Sequence, residues 1–289
     1  MVKKKDGTWR MCVDYRRINK ATKFDCIPLP RLDEALDAFA CSTVFSSLDL
    51  AMAYHQVPVA LSDVEKTAFI TNVGLYEMVN MPFRLCNAPS TYQRLVSIVL
   101  RGLISRICLD DVIVFALRFT QHLEDLRAVF TRILGAGLKL KPSKCHLFRD
   151  EVLYLGHIIN ASGVSLDSAN LRVLSTWPVP ATVRDVQSSL GFVNFYGDYI
   201  AGSTRQTAPL YALTAGRKGT EKVVLDAEEL AVFNSLKQAL VAGPQLAHFD
   251  LSKQFIVHIV ASKLAIGAVI LQRSEEGVER PISFFSKKL

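Results

Sequence analysis

The sequence lacks the features that would place the protein outside the cell or in a membrane. Its six cysteines include no Cys-x-x-Cys pair, which argues against a disulfide framework and against a zinc module. No apolar run approaches the roughly 18 residues that a spanning helix needs, and the basic start, Met1–Gly7, is followed by no apolar stretch of a secretory signal. We therefore expect an intracellular protein with reduced cysteines, neither secreted nor bound to a membrane.

The composition is that of a globular protein with an excess of positive charge. Half of the 289 residues are hydrophobic and 21% are charged, which excludes disordered and fibrous classes and favours two or three compact units. The net charge is +7, and residues 1–20 hold seven Lys or Arg against two Asp. This cluster predicts an anionic partner, a merely solvated surface being the alternative.

The first half alternates short β-type runs with amphipathic helices, which favours an α+β layer arrangement. Strands are predicted at Thr8–Tyr15 and Ser42–Leu50, and a helix at Arg31–Ala40 follows the break at Pro28–Pro30. A further helix is predicted from Asn87 to Ile104. Another periodic helix is predicted from Thr120, with an apolar face formed by Leu123, Leu126, Phe130, Ile133 and Leu134.

The second half begins with helical stretches. Residues 165–222 predict a small helical unit, in which the segment Ala215–Thr220, rich in Gly and Lys, is interpreted as a linker. A last helix at Asp226–Ala242 leads into β-type runs at Gln254–Val260 and Ala265–Gln272. This order indicates the start of another α/β unit.

Three acids carry the clearest chemical signal. Asp110 and Asp111 lie between the apolar arms Ile107–Leu109 and Val112–Phe115, a pattern typical of a β-hairpin. Asp is common in exposed turns, which is the plain alternative. Two adjacent carboxylates next to buried strands repel each other unless a cation neutralises them. Because Asp49 ends another apolar strand, the three acids predict a Mg²⁺ site of the kind that serves phosphoryl transfer.

A series of motifs then runs in one order along the chain. They are residues 4–16, 28–31, Phe45–Leu50, Tyr54–Gln56, Lys66–Phe69, Met81–Phe83, Asn87–Gln93, Leu109–Asp111, Gly137–Leu140, Leu155–His157 and Phe284–Leu289. With these motifs the sequence resembles the reverse transcriptases of gypsy-type long-terminal-repeat retrotransposons. It would correspond to a fragment of their Pol polyprotein. The ordered set is far more specific than any single motif.

The resemblance implies an α+β fold in three parts. Residues 1–163 would form the fingers and palm of a polymerase, residues 164–222 a small helical thumb or connection, and residues 223–289 a truncated RNase H-like α/β domain. The implied function is that of an RNA-directed DNA polymerase, which adds deoxynucleotides to a primer 3′-end. Its expected partners are an RNA or DNA template with its primer and deoxynucleoside triphosphates, and the oligomeric state stays open.

The resemblance also assigns the catalytic residues. Asp49, Asp110 and Asp111 would hold two Mg²⁺ ions, for which Mn²⁺ would substitute, and these would activate the primer 3′-hydroxyl and neutralise the triphosphate. Lys144 resembles the residue that gives a proton to the leaving pyrophosphate. These four residues form the implied catalytic set.

Further residues are implied to bind substrate and nucleic acid. Lys4 and Arg10 would meet the incoming triphosphate, and Tyr54 resembles the steric gate against a ribose 2′-hydroxyl, a core aromatic being the alternative. The nucleotide and template side would be lined by Phe83, Pro89 and Gln93. The primer grip would be formed by Leu155, Gly156 and His157.

The sequence departs from the family pattern in three places. The strand before Asp110 is about three residues short, and an odd deletion would reverse which side chains face the core. Arg84 stands where the family has glycine, next to the nucleotide pocket. Val260 stands where the RNase H-like domain has its first catalytic Asp, and valine cannot bind Mg²⁺. We therefore expect no ribonuclease H activity.

These departures leave alternatives to a working polymerase. One is a catalytically inactive, degenerate remnant that still binds nucleic acid in a salt-sensitive manner. Another is a relic that scarcely folds and shows no cooperative unfolding transition.

Overall fold

The computed structural model describes the chain apart from residues 1, 4–6, 8, 26, 28–31, 41, 104, 108–110 and 263–264. Within helices and strands, only the backbone is described for residues 3, 10, 32–33, 105–107 and 111. The chain divides into two compact units. Unit 1 comprises Met1–Ala38 and Ser42–Asp150, and unit 2 comprises Phe39–Cys41 and Glu151–Leu289.

Unit 1 combines short strands with four helices in its described part. Its elements are β1 (Val2–Lys3), β2 (Trp9–Arg10), α1 (Arg16–Ala21), α2 (Leu32–Ala38), β3 (Val44–Asp49), β4 (Phe69–Thr71), β5 (Gly74–Tyr76), α3 (Ala88–Val99), β6 (Ser105–Ile107), β7 (Asp111–Ala116), α4 (Phe119–Gly135) and β8 (His146–Arg149). Short 3₁₀ helices lie at Ala53–Gln56, Leu61–Thr67 and Pro142–Lys144.

A four-stranded antiparallel sheet organises unit 1, in the order β6-β7-β3-β8. Leu48 of β3 and Val114 of β7 are fully buried, and they pack in one hydrophobic cluster with Tyr92 of α3 and Val129 of α4. The predicted hairpin is confirmed, because β6 pairs with β7 from Ile107 opposite Val112. The helices α3 and α4 thus pack against β3, whose last residue is Asp49, and β7, whose first residue is Asp111.

The prediction for α4 is right in position and partly wrong in its buried face. The residues buried on this helix are His122, Leu126, Val129 and Ile133, whereas Leu134 is 79% exposed. The buried residues follow the spacing of four, three and four that places side chains on one helix face. Hydropathy alone misses this face because it begins with a polar residue.

Other predictions for unit 1 need adjustment. Among the described residues of the predicted strand Thr8–Tyr15, only Trp9–Arg10 form a strand. Tyr15 is buried, and its hydroxyl donates to the Thr67 carbonyl at 3.1 Å. The helix predicted from Asn87 ends at Val99. The Pro28–Pro30 break lies outside the described residues.

Unit 2 contains two three-stranded antiparallel sheets and four helices in its described part. Its elements are β9 (Glu151–Tyr154), β10 (His157–Asn160), β11 (Gly163–Leu166), α5 (Ser168–Ser175), α6 (Val183–Phe195), α7 (Ser203–Ala212), α8 (Ala227–Val241), β12 (Ile256–Ala261), β13 (Ala265–Arg273) and β14 (Glu279–Lys288). The sheet orders are β11-β10-β9 and β12-β13-β14. Among the described helices of the chain, none combines the length and the apolar character required to cross a membrane.

The helices of unit 2 share one hydrophobic core. That core joins Leu174 of α5 and Leu190 of α6 with Leu236 of α8. The segment Ala215–Thr220 is tied to the start of α6, because Arg184 N donates to the Gly219 carbonyl at 2.9 Å. Its interpretation as a linker is therefore wrong. The predicted domain boundaries after residues 163 and 222 stay predictions.

A buried histidine lies in an aromatic cluster of unit 2. His157 is 2% exposed, and its Nδ1 shares a hydrogen bond of 2.9 Å with the Tyr199 hydroxyl. The rings of Phe195, Tyr196 and Tyr199 lie with their centroids 5.2 to 5.8 Å from the imidazole. Burial lowers the pKa of His157 to about 4. The ring is therefore neutral at neutral pH.

Acidification is expected to destabilise unit 2 through His157. The folded state keeps the ring neutral down to a pKa of about 4, whereas the unfolded chain takes up the proton near its ordinary value of about 6.5. The free energy of unfolding should therefore fall as the pH falls through this window, by on the order of 3 kcal/mol. Urea unfolding, followed by Trp177 fluorescence in a Trp9→Phe background, measures this loss.

Two variants control this measurement. His157→Phe keeps an aromatic ring but removes the titrating group, so the fall in stability should become much shallower. Tyr199→Phe removes the hydrogen bond but leaves His157 buried, so the fall should persist. Equal losses in the wild type and in His157→Phe would contradict the assignment to this residue.

Candidate active site

Two of the three predicted metal-binding acids lie on paired strands. Asp49 is the last residue of β3, and the antiparallel register places it directly opposite Asp111, the first residue of β7. Directly opposed residues of such strands have Cα atoms about 5 Å apart. Only the backbone of Asp111 is described, and Asp110 lies outside the described residues. The strand before the acids, β6, pairs with β7 as far as Ile107 opposite Val112.

Lys144 lies against the first of these acids, and its role as a proton donor stays a prediction. Its Nζ is 2.8 Å from Asp49 Oδ2, and the Asp49 side chain is only 18% exposed. The backbone joins the same two segments, because Lys141 N donates to the Asp49 carbonyl at 2.8 Å. A carboxylate and a cation are thus held together at the end of β3.

Gln56 fixes the chain on both sides of this pair. Its Nε2 donates to the carbonyls of Ala51 and Lys139 at 2.6 and 3.0 Å, and its Oε1 accepts from Lys139 N at 2.6 Å. The side-chain amide therefore joins the segment after Asp49 to the segment before Lys144. Sequence reasoning did not assign Gln56 a role, although an amide can bridge two backbones because it donates and accepts.

The rings of Tyr54 and Phe83 pack against each other, and their roles in nucleotide binding stay predictions. Tyr54 lies in the 3₁₀ helix that follows Met52, whose φ of 49° is left-handed. Its ring centroid is 5.3 Å from that of Phe83 and 5.5 Å from that of Tyr92, and the His55 ring also packs against Phe83 at 4.9 Å. The Tyr54 ring is half-buried, which is compatible with a gate and with a core aromatic.

The other residues predicted for the nucleotide and template side lie in the first turns of α3. Pro89 is half-buried, whereas Gln93 is 5% exposed. Gln93 Oε1 has no hydrogen-bond partner among the described residues. A template contact by Gln93 stays a prediction.

Arg84 adopts the backbone conformation that glycine favours. Its φ is 75°, in the left-handed region that costs a side-chain-bearing residue about 1–2 kcal/mol. Asn19 holds this turn on both sides, because its Nδ2 donates to the Arg84 carbonyl at 2.8 Å and its Oδ1 accepts from Cys86 N at 3.0 Å. The turn thus keeps its backbone shape beside Phe83 in spite of the substitution. Asn19 was not predicted as a site residue.

Arg16 and Arg84 both act on the carboxylate of Asp14. The Arg16 side chain donates to the Asp14 carboxylate at 2.6 Å, and this hydrogen bond is the main reason why the pKa of Asp14 falls to about 2. Arg84 contributes a smaller coulombic lowering of the same pKa. Of the predicted triphosphate contacts, Arg10 lies in β2 with only its backbone described, and Lys4 lies outside the described residues.

The predicted primer grip forms the turn of a β-hairpin in unit 2. Tyr154 of β9 pairs with His157 of β10, which leaves Leu155 and Gly156 as a two-residue turn with φ values of 47° and 84°. Two successive positive φ values are typical of a type I′ turn. A β-carbon at Gly156 would clash with the Tyr196 hydroxyl. Because His157 is buried, Leu155, 48% exposed, is the residue of this motif that presents its side chain to solvent.

The position expected for a ribonuclease H acid carries no ligand atom. Val260 lies in β12 opposite Gly267 and is 72% exposed. Across the described part of the chain, no cluster of three or more His, Cys, Asp or Glu side chains suits a metal ion. The three-acid set at Asp49 depends on Asp110 and Asp111, whose side chains are not described.

Comparisons with protein families match both ends of the chain. The family described as "Reverse transcriptase (RNA-dependent DNA polymerase)" matches residues 2–159. The family described as "RNase H-like domain found in reverse transcriptase" matches residues 225–289.

Curated relatives extend this likeness over nearly the whole chain. The chain is 34% identical over 284 residues to a retrovirus-related Pol polyprotein from transposon 297 of Drosophila melanogaster, with 97% of the chain and 26% of the relative covered. It is 30% identical over 291 residues to the transposon Tf2-3 polyprotein of Schizosaccharomyces pombe, with 100% of the chain and 22% of the relative covered. The chain therefore spans about a quarter of the length of these relatives.

Solved structures confirm the implied fold class. A foamy viral protease-reverse transcriptase in complex with double-stranded DNA matches with a TM-score of 0.88 and 25% identity, over 99% of this chain and 50% of that chain. The same kind of protein with an RNA/DNA hybrid matches with a TM-score of 0.83 and 24% identity, over 100% of this chain and 39% of that one. The α+β polymerase fold predicted from the resemblance is thus confirmed.

Arg84→Gly is expected to stabilise unit 1 by about 1 kcal/mol, because glycine adopts the left-handed φ without steric cost. Arg84→Ala removes the guanidinium but keeps a β-carbon on the same backbone, so its stability should stay within about 0.5 kcal/mol of the wild type. Native-state hydrogen exchange of the β3 and α3 amides measures both variants. Equal stabilities of the two variants would show that this turn carries no strain.

Proposed function

Because the chain belongs to the reverse transcriptase family, and its relatives are Pol polyproteins of gypsy-type retrotransposons, we propose that it is an RNA-directed DNA polymerase that adds deoxynucleotides to a primer 3′-end. The observation that carries this proposal is the pairing of β3 with β7. It sets Asp49 opposite Asp111, with Lys144 on the Asp49 carboxylate.

The donor set at the strand ends suits magnesium. Asp49 and Asp111 belong to two neighbouring strands, and Asp110 precedes Asp111 in the sequence. Their carboxylates would offer the hard oxygen ligands that Mg²⁺ prefers, with Mn²⁺ as a substitute. Two such ions, when bound, lower the pKa of the primer hydroxyl and neutralise charge on the triphosphate. Asp49 would enter this set already oriented, because Lys144 and the Lys141 amide hold the end of β3.

The remaining roles follow from position and charge. Lys144 would give its proton to the leaving pyrophosphate, since its ammonium group lies beside the metal-binding acid. Tyr54, supported by Phe83, would exclude a 2′-hydroxyl by packing, and Arg10 with Lys4 would contact the triphosphate. Pro89 and Gln93 would lie toward the template.

The partners would be a template and its primer, with deoxynucleoside triphosphates as substrates. The net charge of +7 supports binding to a polyanion. The related foamy viral protein has been solved with double-stranded DNA and with an RNA/DNA hybrid. Base-specific contacts are not required, because a polymerase of this kind would contact the sugar-phosphate backbone and the shape of the nucleic acid. The protein would act inside the cell, in the cytoplasm or in a virus-like particle.

Unit 2 would support binding without a ribonuclease activity of its own. We assign residues 164–222 to a thumb or connection and 223–289 to an RNase H-like domain, in line with the family match at 225–289. Val260 supplies no carboxylate, so the domain would not cleave RNA. Leu155, at the tip of its hairpin, would contact the primer through its apolar side chain.

An inactive remnant that binds nucleic acid is the second candidate. The observation that favours it is Arg84, a long cation on an exposed turn beside Phe83, where close approach of a nucleotide suits glycine. Such a chain would retain template-primer binding but would not turn over.

Primer extension tests the proposed function directly. The purified protein should extend a DNA primer on an RNA template with Mg²⁺ and deoxynucleotides. Asp49→Asn and Asp110→Asn each remove a charged metal ligand, so the rate of single-nucleotide incorporation should fall by at least about a hundredfold. Glu124→Gln, which neutralises an exposed acid of α4, is the matched control and should extend like the wild type.

The failures of this experiment are distinguishable. No extension by the wild type, with salt-sensitive template-primer binding retained, would make the chain the inactive remnant. Loss of both binding and cooperative unfolding would contradict the polymerase and the remnant alike.

Leu155→Asn is expected to separate stability from function. Asn tolerates the left-handed φ of this turn, so the β9–β10 hairpin should gain about 0.5–1 kcal/mol, read by hydrogen exchange. The variant loses the apolar contact to the primer, so extension should become less processive. Leu155→Ala keeps the strained left-handed backbone and loses the apolar contact to the primer. It should therefore lower processivity without stabilising the hairpin. Wild-type processivity in both variants would refute a primer contact by Leu155.

A further inference from the structure

A buried hydrogen-bond chain connects α4, β3 and β8 within unit 1. His122, in the first turn of α4, is 0% exposed, and its Nε2 lies 2.7 Å from Ser46 Oγ on β3. Ser46 is itself 1% exposed, and its Oγ also accepts from Phe148 N of β8 at 3.1 Å. The chain meets β3 three residues before Asp49.

The Ser46 hydroxyl joins the other two groups of this hydrogen-bond chain. Its oxygen has two lone pairs, so it accepts from the Phe148 amide and can either donate its own proton to His122 Nε2 or accept a proton from it. Burial lowers the pKa of His122, against a smaller opposite effect of Asp125, and so favours the neutral ring.

The imidazole is not explained by packing alone. Its Nδ1 is buried and has no hydrogen-bond partner among the described residues. An unsatisfied buried polar atom costs stability that an apolar side chain of similar size would not cost. The hydrogen bond between Nε2 and Ser46 Oγ is therefore the feature that distinguishes His122 from an apolar residue at this position.

The hydrogen bond from Phe148 holds a β-bulge. Phe45 of β3 pairs with Arg149, and Ser47 pairs with His146, so one residue of β3 faces two residues of β8 between these pairs. Phe148 lies in this bulge with a left-handed φ of 53°. A bulge changes the direction of the residues next to it. In this bulge the Phe148 amide donates to Ser46 Oγ.

Aromatic contacts add to the same junction. The Phe148 ring lies 5.2 Å from Phe119 and 5.8 Å from His122, measured between ring centroids. Both partners belong to the first turn of α4. The helix start thus contacts the bulge through a polar chain and through two rings.

The bulge lies four residues beyond Lys144. From Ser47 opposite His146, the chain runs back through Cys145 to Lys144, whose Nζ contacts Asp49 at 2.8 Å. Loss of the bulge would shift β8 by one residue, about 3.3 Å along the strand. Such a shift exceeds the tolerance of a hydrogen bond.

We propose that His122 is a positioning residue, which through Ser46 fixes the bulge of β8 and thereby sets the reach of Lys144 toward Asp49. This inference rests on the proposed function for the consequence in catalysis, where Lys144 would act on the leaving pyrophosphate. His122 itself would touch neither substrate nor metal.

Two replacements separate the hydrogen bond from the bulk of the ring. His122→Phe keeps a ring but cannot form a hydrogen bond with Ser46, whereas His122→Gln keeps an amide that can donate or accept at a similar distance along the side chain. The exchange rate of the Phe148 amide, which needs no activity, should rise at least about tenfold in His122→Phe and less in His122→Gln. Val129→Ala, a core truncation on the same helix, controls for general destabilisation and should leave this amide protected relative to its neighbours.

A double-mutant cycle with Lys144→Ala tests the consequence. His122→Phe should lower the single-turnover rate about tenfold or more with deoxynucleotide affinity within about twofold, and His122→Gln should restore most of the rate. In the Lys144→Ala background, His122→Phe should cause little further loss, because the two residues act through one contact. Val129→Ala should leave the rate unchanged.

The outcomes are separable from failure of the proposed function. Independent, multiplying losses in the cycle, or an unchanged Phe148 exchange rate in His122→Phe, would overturn the positioning role. A wild type that extends no primer would sink the proposed function, while Phe148 exchange would still decide whether His122 holds the bulge.

Discussion

The antiparallel pairing of β3 with β7 is the constraint on which the candidate active site depends. It brings Asp49 opposite Asp111 at the ends of the two inner strands of the sheet. Two carboxylates on directly opposed strand positions repel each other unless a cation neutralises them. An ion pair with a partly exposed lysine such as Lys144 returns about 1 kcal/mol or less. The remaining repulsion is the physical reason why this edge suits a divalent cation, and why neighbouring segments must be fixed around it.

The parts of this arrangement that follow from local pattern were predictable from the sequence. The apolar strand ending in Asp49 and the hairpin before Val112 are visible because hydrophobic side chains dominate both. The strands β8 to β11 and β14 were not predicted, since their polar residues and turns hide the period of two. The buried strip of α4 was misplaced because His122 occupies a core position that only its contact with Ser46 explains. Tertiary contacts, absent from a linear pattern, decide such positions.

Backbone strain marks the same segments. In the described part of the chain, the non-glycine residues with positive φ are Met52, Arg84, Phe148 and Leu155. Each lies at or near a predicted or proposed site residue. Met52 precedes Tyr54, Arg84 follows Phe83, Phe148 lies in the bulge of β8, and Leu155 is the proposed primer contact itself. Such conformations persist only where surrounding contacts determine them, as Asn19 does for Arg84 and Ser46 for Phe148. The sequence could not reveal them, because none of these four residue types favours the left-handed region.

The two departures in residue type from the family pattern differ in their physical consequence. At Arg84 the turn keeps the left-handed backbone, so the geometry next to Phe83 survives and only an exposed side chain is added. At Val260 the backbone is an ordinary strand, and what is missing is a charged oxygen ligand, which no change of conformation can restore. The Arg84 side chain is compatible with metal-dependent chemistry at Asp49, because the backbone next to Phe83 is preserved. Val260 is not compatible with such chemistry at its own position, because it supplies no carboxylate. The sequence therefore keeps all three acids predicted to bind metal in the part that matches the reverse transcriptase family, whereas the RNase H-like match has valine at its first predicted acid position.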